Sequence, residues 1–101
     1  MPNNQRALSA PAHLNLETRG EFRRAAVELL GQMPEGSGTL VVDVSATRVV
    51  DSSGLGTLVM LRRHAASREQ TVRLRGANDE IRLLLSLTKL DKLFELDEHG
   101  P

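Results

Sequence analysis

Cysteine, tryptophan and tyrosine are all missing from this 101-residue chain. Without cysteine there are no disulfides, no thiolate metal ligands and no thiol nucleophile. That fits a reducing compartment, and a cytoplasmic location is expected. Phe22 and Phe94 are the only aromatics, too few to stack single-stranded nucleic acid. Charge of one sign is also lacking, because 13 Lys and Arg balance 13 Asp and Glu. A neutral chain has no global field to gather nucleic acid or an anionic membrane. No apolar run approaches the ~20 residues that span a bilayer. Met1 to Ser9 has no apolar centre and does not read as a signal peptide. His13, His64 and His99 lack metal-ligand spacing, so neither a metal nor another cofactor is expected.

What is present is a chain that is 40% hydrophobic, enough for one small core. One domain over residues 1–101 is expected, with loose ends at 1–6 and 97–101. The centre of the sequence is Val49-Val50-Asp51-Ser52-Ser53-Gly54-Leu55-Gly56. Apolar β-branched residues run in and an amphipathic helical pattern runs out. Side chains in such a turn sit at a helix N-terminus, where N–H groups point outward and the end is partly positive. Ser52 or Ser53 can serve as the N-cap, and neither glycine blocks approach from outside. The place suits a phosphate, bound or covalently attached to serine.

Either side, the pattern alternates between strand and helix. One short strand is read within Ala7–Leu14, at an edge because Pro11 lacks an N–H. Thr18 and Glu21 match a capping box, with Asn15 a competing cap. Phe22, Ala26, Leu29, Leu30 and Met33 then make one helical face, ending near Met33 before Pro34, Gly36 and Gly38. Thr39–Val44 is a continuous β-branched run, expected as a central strand, with Asp43 near its C-terminal end. A second helix is read over Gly54–Ser67, a half-buried strand over Thr71–Arg75 and a third helix capped by Asn78. Leu90, Leu93, Phe94 and Leu96 close the chain as a strand or a last helical turn. The alternation predicts an α/β layer with mainly parallel strands. Sites in such sheets gather at the C-terminal strand ends, where Asp43 and the Asp51–Ser52 turn both fall.

A serine hydrolase would need a base beside Ser52 or Ser53. His64 lies too far along the second helix, and the turn is not a Gly-x-Ser-x-Gly elbow. Gly54-Leu55-Gly56 lacks the lysine of a P-loop. The arginines at 19, 23 and 24, and at 62, 63 and 68, read as solvated helix faces.

The residues from Thr39-Leu-Val-Val-Asp43-Val-Ser45 through Val49-Val50-Asp51-Ser52-Ser53-Gly54-Leu55-Gly56 resemble the signature of the STAS domain. More narrowly, they resemble the bacterial anti-sigma factor antagonists. The similarity extends through Val72–Gly76, Ile81–Leu84 and Leu90–Phe94. It implies a mixed, mainly parallel sheet with helices on one side. It also implies that Ser52 is phosphorylated by a partner anti-sigma factor that is a serine kinase, and restored by a serine phosphatase. Asp43, Asp51, Ser52, Ser53, Gly54, Leu55 and Gly56 are the implied partner-binding residues, in a protein that is a substrate rather than an enzyme. The likeness departs at the N-terminus. There the family has two strands and a glycine–acid turn, and this chain has one readable strand and Ala10-Pro11-Ala12-His13. A sheet short of one strand is the expectation, in a monomer or weak dimer. A second reading keeps the fold. Arg75-Gly76-Ala77-Asn78-Asp79 is similar to small STAS subunits that sit on the ATPase of lipid-transporting ABC systems.

Overall fold

The computed structural model describes residues 4–96. The expected looseness of 97–101 falls outside them, as do residues 1–3. Three helices and six strands follow one another as β1 (Gln5–Ser9), β2 (His13–Leu14), α1 (Arg19–Gly31), β3 (Thr39–Asp43), β4 (Val49–Val50), α2 (Ser52–Ser67), β5 (Thr71–Arg75), α3 (Asp79–Leu87) and β6 (Glu95–Leu96). The main sheet has the order β1-β3-β5-β6, and β2 pairs with β4 in a separate two-stranded ribbon. Every one of these ladders is parallel. The α/β class with a mainly parallel sheet is therefore as expected.

β3 is the central strand because it can be buried throughout its middle: Leu40, Val41 and Val42 are all solvent-free. Leu40 and Val42 point toward the helices, with Val72 and Leu74 beside them in register on β5. Phe22, Ala26 and Leu30 of α1 lie on the same core at four-residue spacing. Leu58, Leu61 and Ala65 of α2, with Ile81 and Leu85 of α3, complete it.

The N-terminal third departs from the sequence reading. Two strands precede α1, not one, so the expected missing strand is present. Gln5 and Arg6 are not frayed but pair with Thr39 and Leu40. Pro11 divides β1 from β2 instead of interrupting one strand. The capping box does not form. Thr18 Oγ1 donates to His13 O at 2.7 Å and accepts from Asn15 N at 3.0 Å. Asn15 Oδ1 in turn accepts from the N–H groups of Glu17 and Thr18. The threonine hydroxyl is spent on the strand end, which ties β2 to the start of α1. The helix stops at Gly31, two residues before Met33, and Met33 is buried beyond its end.

One buried polar side chain finishes that helix. Gln70 Nε2 faces the carbonyls of Leu30, Met33 and Pro34 at 3.1–3.2 Å. Arg68 adds a guanidinium N–H to Met33 O at 3.1 Å. The carbonyls at the end of α1, two of which already accept from Met33 N and Ser37 N, thereby gain a second donor from the start of β5.

Candidate functional site

The Asp51–Gly56 turn is held from three directions. β4 delivers it at the C-terminal end of its ribbon, where Asp51 N donates to Leu14 O at 3.2 Å. Asp51, not Ser52 or Ser53, is the N-cap of α2: its backbone is extended and its Oδ1 accepts from Gly54 N at 2.9 Å. Both serines are therefore inside the first turn, and α2 begins two residues earlier than its apolar pattern predicts. Third, Gly54 is buried against β2, where a Cβ would collide with the Leu14 carbonyl. Glycine here permits close helix–strand contact.

This arrangement sorts the two hydroxyls. Ser52, at the first helical position, is exposed, while Ser53 is half-buried. Ser53 O also accepts from the buried Thr57 hydroxyl at 3.0 Å. The Ser52 side chain is thus open to solvent at the helix start. The N–H groups of Ser52 and Ser53 are among those that a helix start leaves without an intrahelical acceptor.

A groove of about 430 Å³ runs from Ser52 along the outer side of α2, over Leu55, Gly56, Val59, Met60 and Leu90, with Arg63 at its far end. Along the sequence of α2, Leu55, Leu58, Val59, Leu61, Arg62 and Ala66 fall on one broad side. The structure splits them: Leu58 and Leu61 are buried with Ala65, whereas Leu55 and Val59 are half-buried and Ala66 is exposed. Val59, Met60, Arg63 and Leu90 were not foreseen as site residues. For Val59 and Met60 a signal was available, because the apolar arc of α2 is wider than one core-facing stripe requires; for Leu90, outside α2, there was none.

Asp43 belongs to a different corner. Its Oδ1 accepts from Ser45 N at 2.9 Å, and its Oδ2 meets Arg75 Nη2 at 3.3 Å. Hydrogen bonds from Ser45, its hydroxyl first and its N–H next, hold the Asp43 carboxyl below the ordinary range, and Arg75 adds to this. Asp43 thus fixes the turn after β3, and Gly76, at φ +79°, closes over Ser45 from the end of β5. Buried Thr47 joins this corner to the N-terminal segment: its hydroxyl donates to Pro11 O at 2.9 Å, and its carbonyl accepts from Asn78 Nδ2 at 3.2 Å. His64 stands in the last turn of α2, roughly 18 Å along the axis from Ser52. The helix thus keeps Ser52 and His64 from forming a nucleophile–base pair.

A parallel α/β layer with a helix start presented at the end of a short strand ribbon is the architecture of a STAS domain. The family model described as "Mlab, STAS domain" matches residues 1–96, and the chain belongs to that family. A STAS-domain containing protein of Pseudomonas aeruginosa (strain UCBPP-PA14) is 34% identical over 56 residues, a match spanning 55% of each chain. Among solved structures, a provisionally assigned anti-sigma factor antagonist of Thermotoga maritima superposes with a TM-score of 0.78 at 21% identity, covering all of this chain and 83% of that one. The anti-sigma factor antagonist SpoIIAA in its unphosphorylated form gives 0.70 at 12% identity, covering 99% and 84%. The murine anion transporter Slc26a9 gives 0.74 at 16%, with 92% of this chain covering 16% of the transporter. At these identities the likenesses establish the fold, which is the STAS fold of anti-sigma factor antagonists. Among the described residues no helix is long and apolar enough to cross a membrane.

Proposed function

We propose that this protein is an anti-sigma factor antagonist. Its unphosphorylated form binds an anti-sigma factor serine kinase and frees the sigma factor, and phosphorylation of Ser52 by that kinase ends the binding. A serine phosphatase resets the switch. The observation that carries this reading is Ser52 itself: exposed, first in α2 and at one end of an apolar groove. The unphosphorylated groove suits an apolar partner surface. A phosphate adds about −1.5 to −2 charges, and it does so next to Asp51. Two like charges ~6 Å apart at an effective dielectric of ~20 repel by roughly 3 kcal/mol, and by less where water reaches them. Tenfold in affinity is about 1.4 kcal/mol. That repulsion is present in the free chain too, so binding is weakened by the part that grows when a partner excludes water from the pair. A loss of affinity up to about a hundredfold by this route needs no refolding.

The test is capture from the native cell's lysate with Ser52→Ala and Ser52→Asp chains as paired baits. Capture of a kinase-like anti-sigma factor by the alanine form alone supports the switch. Equal capture by both forms counts against it.

A second reading is favoured by the family description and by the Arg75–Asp79 segment: a STAS subunit bound to the ATPase of a lipid-transporting ABC system. Asp51 rather than Ser52 caps α2, so the turn holds its shape as a plain docking surface without modification. Capture of an ABC ATPase by both baits would select this reading.

A further inference from the structure

β1 presents one edge of its backbone to β3 and the other away from the sheet. Thr39 N donates to Asn4 O at 2.8 Å, and Ala10 N donates to Asp43 O at 2.9 Å. These two bonds fix the phase of the ladder, so Arg6 and Leu8 also turn their backbone groups toward β3. The backbone N–H and C=O groups of Gln5, Ala7 and Ser9 consequently point outward. β1 lies at the end of the sheet order, so no described strand pairs with this edge. Three outward residues centred on Ala7 are self-complementary in the antiparallel sense. A two-fold axis through Ala7 would pair Gln5 with the second copy's Ser9 and Ala7 with its own counterpart. Each such pair exchanges both N–H···O bonds. The ladder would stop after Ser9, because Pro11 has no N–H to give and its carbonyl accepts from buried Thr47 instead.

The side chains decide what pairs there. Leu8 faces the helices and lines a groove of about 360 Å³ with Phe22 and Ala25, rimmed by Glu17 and Glu21. In the register just given, Arg6 of the second copy stands opposite Leu8 at a non-hydrogen-bonded position, where Cβ atoms are about 4.5–5.5 Å apart. Its stem would lie along Leu8 and Phe22, and its guanidinium would reach the two glutamates. Within one copy, Arg6 Nη1 donates to Gln5 O at 3.0 Å. That contact covers one of the outward carbonyls until a second strand takes it. We infer that the chain forms a two-fold dimer through antiparallel β1–β1 pairing, with Arg6 of each copy seated against Glu17 and Glu21 of the other. The edge is short, so the association is weak and shows only at high protein concentration. It falls outside the Ser52 groove, so the inference does not depend on the switch.

The experiment is sedimentation of the full chain over a concentration series, with amide exchange alongside. Gln5, Ala7 and Ser9 amides should gain protection as concentration rises, while Arg6 and Leu8 stay protected throughout. Ala7→Pro removes an outward N–H on each side of the axis and should weaken association at least about tenfold. A folded check by circular dichroism accompanies that variant. An independent test uses two chains, Arg6→Glu and Glu17→Arg/Glu21→Arg. Each alone should stay monomeric, and their mixture should associate. A monomer at all concentrations to about 1 mM would overturn the dimer. So would association indifferent to Ala7→Pro, a mixture no tighter than its parts, or edge amides protected only when an unrelated extended peptide is added.

Discussion

The backbone carbonyl of Leu14 occupies the space that a Cβ on Gly54 would need. That contact seats the start of α2 on the β2–β4 ribbon, and it gives the two glycines of the turn opposite meanings. Gly56, two residues on, has open space around its Cα.

Gly54→Ala should therefore destabilise the fold by at least about 2 kcal/mol, the range for overpacking a filled site. Gly56→Ala should stabilise it by about 0.5–1 kcal/mol, since alanine is the better helix former at an exposed position. Urea denaturation of both variants measures the signs. If Gly56→Ala also loses the partner while gaining stability, the groove along α2 is in the interface.

Asp51 can be separated into cap and charge. Asp51→Ala should cost about 1 kcal/mol through the lost bond to Gly54 N, and Asp51→Asn should cost little, because asparagine caps as well. Thermal melts give the comparison. Under the proposed switch, the rate at which a kinase modifies Ser52 in the Asn variant reports whether the carboxylate charge is itself recognised.

Gln70 is buried with three carbonyls in reach of one amide nitrogen. Gln70→Leu should destabilise by about 1 kcal/mol, because each carbonyl loses one buried donor while keeping another: Met33 N on Leu30 O, Arg68 on Met33 O and Ser37 N on Pro34 O. The loss should appear in hydrogen exchange first at the C-terminal turn of α1.

Asp43 contributes a pH-dependent term. Its carboxyl is held below the ordinary value of ~3.9 in the folded chain. The ionised form is thus favoured by folding. The added stability is complete above the unfolded value and is lost as pH falls through the lower folded one. Asp43→Asn should be less stable than the parent by about 1 kcal/mol at pH 7, discounted for partial exposure. The gap should narrow below pH ~4. A gap unchanged down to pH 2 would remove Ser45 and Arg75 as its cause.

The parts of the fold with a strong period were legible. The Leu40–Val42 run, the Val72/Leu74 alternation and Asn78 before α3 each appear where the pattern puts them, and Asn78 Oδ1 does accept from Ile81 N. The N-terminal third was not, since β2 has two residues and a period cannot show in two. At each helix start the sequence offers more than one good cap, Asp51 beside Ser52 and Ser53 at α2 and Asn15 beside Thr18 at α1. Partners distant in sequence decide among them: Leu14 O fixes Asp51, and His13 O claims the Thr18 hydroxyl. The turn holding Ser52 was readable from composition. The groove beside it was not, because Leu90 reaches it only through the tertiary fold.

A sheet joined only by parallel ladders contains no hairpin. Gln5 waits for Thr39, Thr39 for Thr71, and Leu14 for Val50. Each pairing closes a loop of more than thirty residues, whose entropy is lost before any bond repays it. The Ser52 turn inherits this dependence, because Asp51 and Gly54 are both fixed on Leu14. During synthesis the serine leaves the ribosome long after its anchor. A nascent chain cut between Leu14 and Val50 carries no trace of the site, and a chain lacking its first fourteen residues carries Ser52 without the seat that presents it.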